Sequence, residues 1–351
     1  RKRCVPRAEQ PPSQTPVFHA TPIDIALKLT QMIGGFTSPP GYNDVRRVKL
    51  QTAKEHPMTM SFIRRIVIAL FAASVLSGAA LSQAKETPPQ DRFAKLDTIR
   101  AHYQNYGEGK EAVVFVHGWS CNLNFWKANI PAFVNQSRVI AIDLPGHGES
   151  DKPQVTYSMD LFARAVDAVL IDAGVERATL VGHSMGTPVI RQFYRKYPNK
   201  TRALVIVDGS LRPFSNLEQM KQLIEPLRGP KYKEQAELMI GFISQMVKDK
   251  KTVEEIRAAM MSTPQHVMVG AMDAMMDDAI WKQDKINAPT LAVMAKQPAW
   301  DAEYEKFVRE LVPGIDYQIM EGVSHFLMMD EPQKFNDTVL AFLKKNKLIK
   351  N

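Results

Sequence analysis

Apolar and polar positions follow two alternating patterns along the chain downstream of residue 95. Short apolar, often β-branched runs, typical of strands buried on both faces, are separated by stretches with helical periodicity. Strands are predicted at Ala112–Val116, Arg138–Ile142, Ala178–Val181, Ala203–Val207, Thr290–Met294 and Tyr317–Met320, after a hairpin formed by Asp97–Tyr106 and Gly107–Gly109. Helices are predicted at Met159–Ala173, Pro188–Tyr197, Ala302–Leu311 and Pro332–Lys345. This alternation predicts an α/β fold with a mostly parallel sheet and helices on both faces.

One segment, residues 210–287, contains no strand pattern. Its periodicity is helical, and it holds nine of the 18 methionines of the chain. We interpret it as a helical insertion that covers the carboxyl edge of the sheet. Because methionine is flexible and polarisable, these side chains either line an adaptable apolar pocket or fill the core between the inserted helices.

Residues 60–84 have the pattern of a secretory signal peptide. Arg64 and Arg65 precede the apolar stretch Ile66–Ala80, and Ser82-Gln83-Ala84 is a small-x-small cleavage site. The stretch is shorter than the roughly 20 residues of a membrane span, so we expect cleavage, with an uncleaved anchor as the alternative.

A signal peptide this far along a chain indicates that translation begins at Met58 or Met60. Residues 1–59 are then a non-native or disordered upstream extension. We expect residues 85–351 to form the folded domain, exported from a bacterial cell to the periplasm or beyond, with no stable membrane insertion.

Charge and cysteine content narrow the function classes. The net charge is +8, but residues 1–84 contain 11 Lys and Arg against four Asp and Glu, so the rest of the chain carries only +1. This balance gives no reason to expect a nucleic-acid partner. The cysteines are Cys4 and Cys121, which leaves one thiol in the folded domain, and we interpret it as a packed residue. No metal-ligand spacing, phosphate loop or dinucleotide fingerprint is present, so no cofactor or metal is expected.

The strongest chemical signal is the G-x-S-x-G pentapeptide Gly182–Gly186, which follows a predicted strand and opens a predicted helix. A sharp strand-to-helix turn would hold Ser184 in a strained conformation, and side chains at Gly182 or Gly186 would collide there. The helix N-terminus favours developing negative charge. Ser184 is therefore predicted to be a nucleophile.

A serine hydroxyl needs an adjacent base, and the chain order expected for this motif is serine, acid, histidine. Only His266 and His325 follow Ser184. His266 lies in the helical insertion, whereas His325 follows the last predicted strand and belongs at the same edge of the sheet as Ser184. His325 is the predicted base.

Two carboxylates are candidates for the acid that orients His325. Asp208 ends the strand before the insertion. Its alternative role is that of a turn residue before Gly209. Asp301 follows the next predicted strand, but more residues separate it from that strand than we expect for the acid. Its alternative role is that of a helix N-cap. Both remain candidates, with a slight preference for Asp208.

Attack on a carbonyl also requires donors for the oxyanion. His117-Gly118-Trp119 follows the strand Ala112–Val116, so the backbone N–H groups of Trp119 and Met185 are the predicted donors. His117 and His147 precede the serine and are expected to orient loops rather than to titrate.

These motifs together resemble the α/β-hydrolase superfamily over about residues 95–348. The matching segments are HGW at 117–119, DLPGHGES at 143–150, GHSMG at 182–186 and GVSHF at 322–326. The resemblance implies an eight-stranded sheet with a helical cap after the sixth strand. The loop AKQPAWD after the seventh strand lacks the usual glycine and closely following Asp, and some relatives use the position of Asp208 instead.

The resemblance and the motifs predict a serine hydrolase that cleaves carboxylic esters of small apolar substrates through an acyl-enzyme intermediate. The same residues also suit carbon–carbon bond hydrolysis, perhydrolysis or lactone hydrolysis, because the cap sets the choice of substrate. A ligand-binding protein without turnover is the third hypothesis.

Overall fold

The computed structural model describes residues 89–214 and 216–349. The signal peptide predicted at 60–84 and the extension predicted at 1–59 lie outside the described residues. Within the two described ranges, no helix has the length and apolar character needed to cross a membrane.

A single eight-stranded sheet with the strand order β1-β2-β4-β3-β5-β6-β7-β8 forms the centre of the protein. Only β2 runs antiparallel to its neighbours, and β3 to β8 are parallel. The strands are Gln90–Leu96 (β1), Ile99–Tyr106 (β2), Glu111–Val116 (β3), Arg138–Ile142 (β4), Arg177–His183 (β5), Thr201–Val207 (β6), Thr290–Ala295 (β7) and Asp316–Met320 (β8). Nearly every residue of β3 to β7 is buried, which means that both faces of the sheet are covered, as predicted.

Ten α-helices lie in the described ranges: Ile130–Phe133 (α1), Met159–Ala173 (α2), Gly186–Lys196 (α3), Leu217–Ile224 (α4), Tyr232–Ser244 (α5), Lys250–Met261 (α6), Gln265–Met275 (α7), Ala302–Leu311 (α8), Leu327–Asp330 (α9) and Pro332–Lys345 (α10). The bounds of α2 follow from its caps. The Ser158 side chain accepts the Leu161 N–H at the start, and Gly174 ends the helix in the left-handed conformation. Helix α2 packs on α3 and on β1, and α10 packs on β7.

The opening hairpin differs from the prediction. Its first strand, β1, is followed by a turn at Asp97-Thr98, whereas Gly107–Gly109 leads from β2 into β3. The β1 sequence is mostly polar, and only Ala94 and Leu96 in it are buried. An edge strand with so little buried surface has a weak hydrophobic pattern, which explains why it was missed.

The helical insertion forms a cap. Helices α4 to α7 fill the chain between β6 and β7, and α7 reaches the loop after β3, where the Trp119 indole N–H donates to the Met268 carbonyl at 2.9 Å. The Thr263 hydroxyl donates to the carbonyl of Ser120, 3.2 Å away. Six cap methionines are buried in the core: Met220, Met239, Met260, Met268, Met272 and Met275. The cap is thus tied to the carboxyl edge of the sheet, where the loops after the parallel strands meet.

Candidate active site

Ser184 lies on the turn between β5 and α3, with a φ of 52°. This left-handed conformation is uncommon for a residue with a side chain and persists only where the surroundings enforce it. A Cβ at Gly182 would lie 2.5 Å from the Gly186 carbonyl oxygen, and one at Gly186 would lie 2.6 Å from that of Val116. The Ser184 N–H donates to the Val207 carbonyl at 3.0 Å, which fixes the turn against β6. The predicted strand–turn–helix context is therefore present.

His325 lies in the loop between β8 and α9 and is hydrogen-bonded to Asp208. Its Nδ1 is 2.7 Å from the Oδ2 of Asp208, whose side chain is completely buried, while the His325 side chain is 22% exposed. A carboxylate oxygen accepts hydrogen bonds, so the neutral ring carries its proton on Nδ1 and a lone pair on Nε2. No described residue hydrogen-bonds to this Nε2. An imidazole whose Nε2 lone pair is available in this way can accept a proton.

His183 joins the serine turn to the histidine loop. Its Nε2 donates to the His325 carbonyl at 2.9 Å, and the two rings lie 4.7 Å apart. Burial, and then the neighbouring His325, lower the pKa of His183 well below its ordinary value, so the ring is neutral. The residue before Ser184 thus holds the backbone of His325. This contact has no sequence signal, because the second position of the pentapeptide has no fixed role.

The structure brings only one of the two candidate acids to His325. Asp208 follows β6 with a φ of 43°, a second strained residue at this edge. Asp301 is instead the N-cap of α8, where its Oδ1 accepts the Tyr304 N–H at 2.8 Å. In the described part of the chain, Asp301 has no hydrogen bond or ion pair with His325.

The loop after β7 supplies donors to Asp208 rather than an acid. The Ala295 N–H and the Trp300 indole N–H both donate to Oδ1, at 2.8 and 2.7 Å, and the Gln297 amide donates to Oδ2 at 3.1 Å. Sequence reasoning missed Gln297 and Trp300. The departure of AKQPAWD from the family pattern was the available signal, but the sequence did not indicate which residue these side chains would contact.

The two predicted oxyanion donors lie on either side of Ser184. The loop after β3 is against the serine, since a Cβ at Gly118 would be 3.1 Å from the Ser184 Cβ. Met185 directly precedes α3. Neither the Trp119 nor the Met185 N–H donates to an acceptor within the described residues, so both are free to bind an oxyanion.

The buried histidines before the serine shape these loops, as predicted. His117 Nδ1 donates to the Gly118 carbonyl at 2.8 Å, and its Nε2 accepts the Leu144 N–H at 3.0 Å. Burial lowers the pKa of His117 and lowers that of His147 to about 3, so both are neutral. Cys121 is buried too, and burial raises the pKa of its thiol.

Comparison with known proteins agrees with this architecture. The family model described as alpha/beta hydrolase fold matches residues 111–228. The chain has the fold of the α/β hydrolases.

The relatives of this α/β hydrolase include enzymes with different reactions. It is 29% identical to a 2-hydroxy-6-oxononadienedioate/2-hydroxy-6-oxononatrienedioate hydrolase of Burkholderia vietnamiensis, over 70% of this chain and 92% of that protein. It is 28% identical to the dihydrolipoyllysine-residue acetyltransferase component of the acetoin cleaving system of Cupriavidus necator. That match covers 54% of each chain, so this α/β hydrolase spans about half the length of that relative.

Among solved structures, a thermophilic esterase from Thermogutta terrifontis superimposes with a TM-score of 0.63 at 22% identity. The match covers 74% of this chain and 99% of the esterase, and identity at this level supports the shared fold alone. The family match and these relatives support a hydrolase of the α/β-hydrolase type. Its described residues contain no group of three His, Cys, Asp or Glu side chains placed to hold a metal ion.

Proposed function

We propose that this α/β hydrolase is a serine hydrolase that cleaves carboxylic esters of small apolar substrates through an acyl-enzyme at Ser184. The observation that carries the proposal is the hydrogen bond from His325 Nδ1 to Asp208, on a ring whose Nε2 has no partner among the described residues. Asp208 is the proposed acid because Asp301 is occupied as a helix cap.

Each residue has a defined role in the proposed reaction. The Ser184 hydroxyl attacks the ester carbonyl and passes its proton to His325 Nε2, while the N–H groups of Trp119 and Met185 bind the oxyanion. Asp208 stabilises the imidazolium that forms. His325 then gives the proton to the leaving alcohol, and the acyl-enzyme is hydrolysed by a water that His325 deprotonates.

We place the acyl pocket of the proposed reaction beneath the cap. Helix α7 reaches the loop that carries Trp119, and its Met268 and Met272 are buried. Unbranched thioether side chains adapt to acyl groups of varied shape. The proposal is therefore a pocket for short acyl chains beneath α7.

The proposal is tested with a fluorophosphonate probe and a panel of p-nitrophenyl esters from acetate to laurate. We expect one covalent adduct, located at Ser184 by mass spectrometry, and the highest kcat/KM on the short esters. Ser184→Ala should lose the adduct and reduce kcat by about 10⁴-fold or more. A folded wild-type protein that neither reacts with the probe nor hydrolyses any ester would favour a ligand-binding role instead.

A second candidate is carbon–carbon bond hydrolysis with the same residues. The similarity over 92% of the length of the 2-hydroxy-6-oxononadienedioate hydrolase favours it. The two reactions are separated by incubating the protein with that dienedioate and measuring the decrease in absorbance of the dienedioate. The ester proposal predicts a kcat/KM on the dienedioate below that on the best ester. Lactone opening and perhydrolysis are tested on the same preparation.

We also propose that the protein is exported. Support comes from the charged, apolar and small-residue segments in residues 60–84. Expression with a C-terminal tag in a Gram-negative host, followed by N-terminal sequencing of the periplasmic product, tests this. A mature chain that begins near Lys85 is the expected result, and an uncleaved chain in the membrane fraction would contradict it.

A further inference from the structure

The carboxylate of Asp208, the candidate acid, accepts hydrogen bonds from other groups besides His325. Oδ1 accepts from the Ala295 N–H and the Trp300 indole, and Oδ2 accepts from the Gln297 amide and His325. A carboxylate offers about four acceptor sites, so this completely buried group is fully satisfied. Three of the four donors come from the end of β7 and the loop that follows it.

The three donors other than His325 are electrically neutral. Among the described residues, no Lys or Arg forms an ion pair with Asp208. An adjacent Lys or Arg would cancel the negative charge that an imidazolium at His325 needs, whereas amide and indole groups leave it intact. The donor set therefore orients the carboxylate without competing for its charge.

Trp300 is itself fixed in place. Its ring lies 4.7 Å from that of Tyr304, whose hydroxyl donates to the Gly209 carbonyl at 3.2 Å and accepts the Leu211 N–H at 3.0 Å. One aromatic pair thus links the loop after β7 to the backbone beyond Asp208. This link helps to enforce the left-handed backbone of Asp208, which needs such support to persist.

We propose that Trp300 and Gln297 are positioning residues for hydrolysis: their N–H groups fix the Asp208 carboxylate so that Oδ2 faces His325 Nδ1. The inference rests on the proposed function, in which Asp208 is the acid. The acid that follows β7, Asp301, caps α8 and has no hydrogen bond with His325 among the described residues. The loop that carries the acid in the usual family pattern holds the acid from β6 instead.

The main test is Trp300→Phe, which keeps the ring beside Tyr304 and removes the N–H. We expect kcat on the best p-nitrophenyl ester to fall about 10- to 100-fold, the range for one hydrogen bond to a charged group, with KM within about twofold. The matched control is Trp281→Phe, because the Trp281 indole donates to the Met275 carbonyl at 3.0 Å, away from Asp208. The control should keep wild-type kcat.

The pH profile separates positioning from simple loss of structure. In Trp300→Phe, the acid limb of kcat/KM should move to higher pH, because an unpartnered carboxylate oxygen binds a proton more readily. The other titratable groups nearby are His183, Tyr304 and Tyr317. His183 is neutral, burial raises the pKa of Tyr304 to about 12, and burial raises that of Tyr317 as well. A shift of the acid limb in Trp300→Phe that Trp281→Phe does not show therefore points to the hydrogen bonds of Asp208.

A double-mutant cycle gives the decisive result. If Trp300 acts through Asp208, Trp300→Phe should cost almost nothing further in an Asp208→Asn background. Additive losses, or a Trp300→Phe enzyme no different from Trp281→Phe, would overturn the inference. If Asp208→Asn retains full activity, the proposed acid is wrong instead. Should Trp300→Phe fail to fold, Gln297→Leu is measured in the same cycle, with an expected kcat loss of about 3- to 10-fold.

Discussion

Two histidine–aspartate pairs are buried in this α/β hydrolase, and their geometry is almost the same. His325 Nδ1 lies 2.7 Å from Asp208, and His102 Nδ1 lies 2.8 Å from Asp143. Both carboxylates also accept backbone N–H groups, from Ala295 in the first pair and from Leu123 in the second. The pairs differ at the other ring nitrogen. His102 Nε2 is 3.1 Å from a second carboxylate, Asp91, while His325 Nε2 has no partner among the described residues.

The difference decides what each ring is able to do. Burial works against the charged form of His102, but the hydrogen bonds and charges of Asp143 and Asp91 outweigh it and raise the pKa of His102. A ring with both nitrogens bonded to carboxylates has no lone pair to offer and acts as an ionic link between β1, β2 and the loop after β4. A buried aspartate on Nδ1 is therefore not sufficient for a base, and an Nε2 with no hydrogen-bond partner among the described residues is the distinguishing feature.

The largest effect should come from removing the charge of each aspartate in turn. Asp208→Asn should lower kcat by about three to four orders of magnitude, because the imidazolium at His325 loses its counter-charge. Asp143→Asn should instead lower the free energy of unfolding by about 3 kcal/mol, as expected when a buried pair is broken. Urea unfolding and kcat per folded molecule are measured for both variants. Equal losses of activity in the two would remove the distinction between the pairs.

A smaller effect, on the pH dependence of stability, should follow His102→Gln. The raised pKa of His102 means that its stabilisation is complete below about pH 6.5 and is lost as pH rises through the higher folded-state value. The lowered pKa of Asp143 adds stabilisation that is lost only when pH falls through its own folded-state value. We expect the wild-type Tm to exceed that of His102→Gln by a few degrees at about pH 6, with a narrower gap at about pH 9. A gap that widens with pH would show that the ring is not held charged.

The elements of the fold were predictable where hydrophobic pattern and end signals agree. Met159–Ala173 and Arg138–Ile142 have the predicted bounds, the first because Ser158 and Gly174 mark its ends and the second because every residue is buried. The polar edge strand Gln90–Leu96 carried no such pattern and was missed. The sheet and its cap thus followed from periodicity, and the edge strand required knowledge of tertiary pairing.

The candidate site was predictable only in part. Local motif spacing predicted Ser184 and His325 as candidates, and the geometry brings the segments that carry them into contact through His183. The choice between Asp208 and Asp301 stayed open because both follow parallel strands that end at the same edge, and only side-chain direction separates them. The same limit applies to Trp300, whose contact with Asp208 spans more than 90 residues of chain.

The smallest expected effect belongs to Asp301, and it tests whether His325 has a single partner. Asparagine caps helices about as well as aspartate, so Asp301→Asn should still accept the Tyr304 N–H and keep both kcat and Tm close to wild type. Asp301→Ala removes the cap and should cost about 1 kcal/mol of stability. Because α8 carries Tyr304, which supports Trp300, the alanine variant should also lose a little activity. A collapse of kcat in Asp301→Asn comparable to that in Asp208→Asn would contradict this order, since it would mean that the charge of Asp301, and not its capping oxygen, serves the histidine.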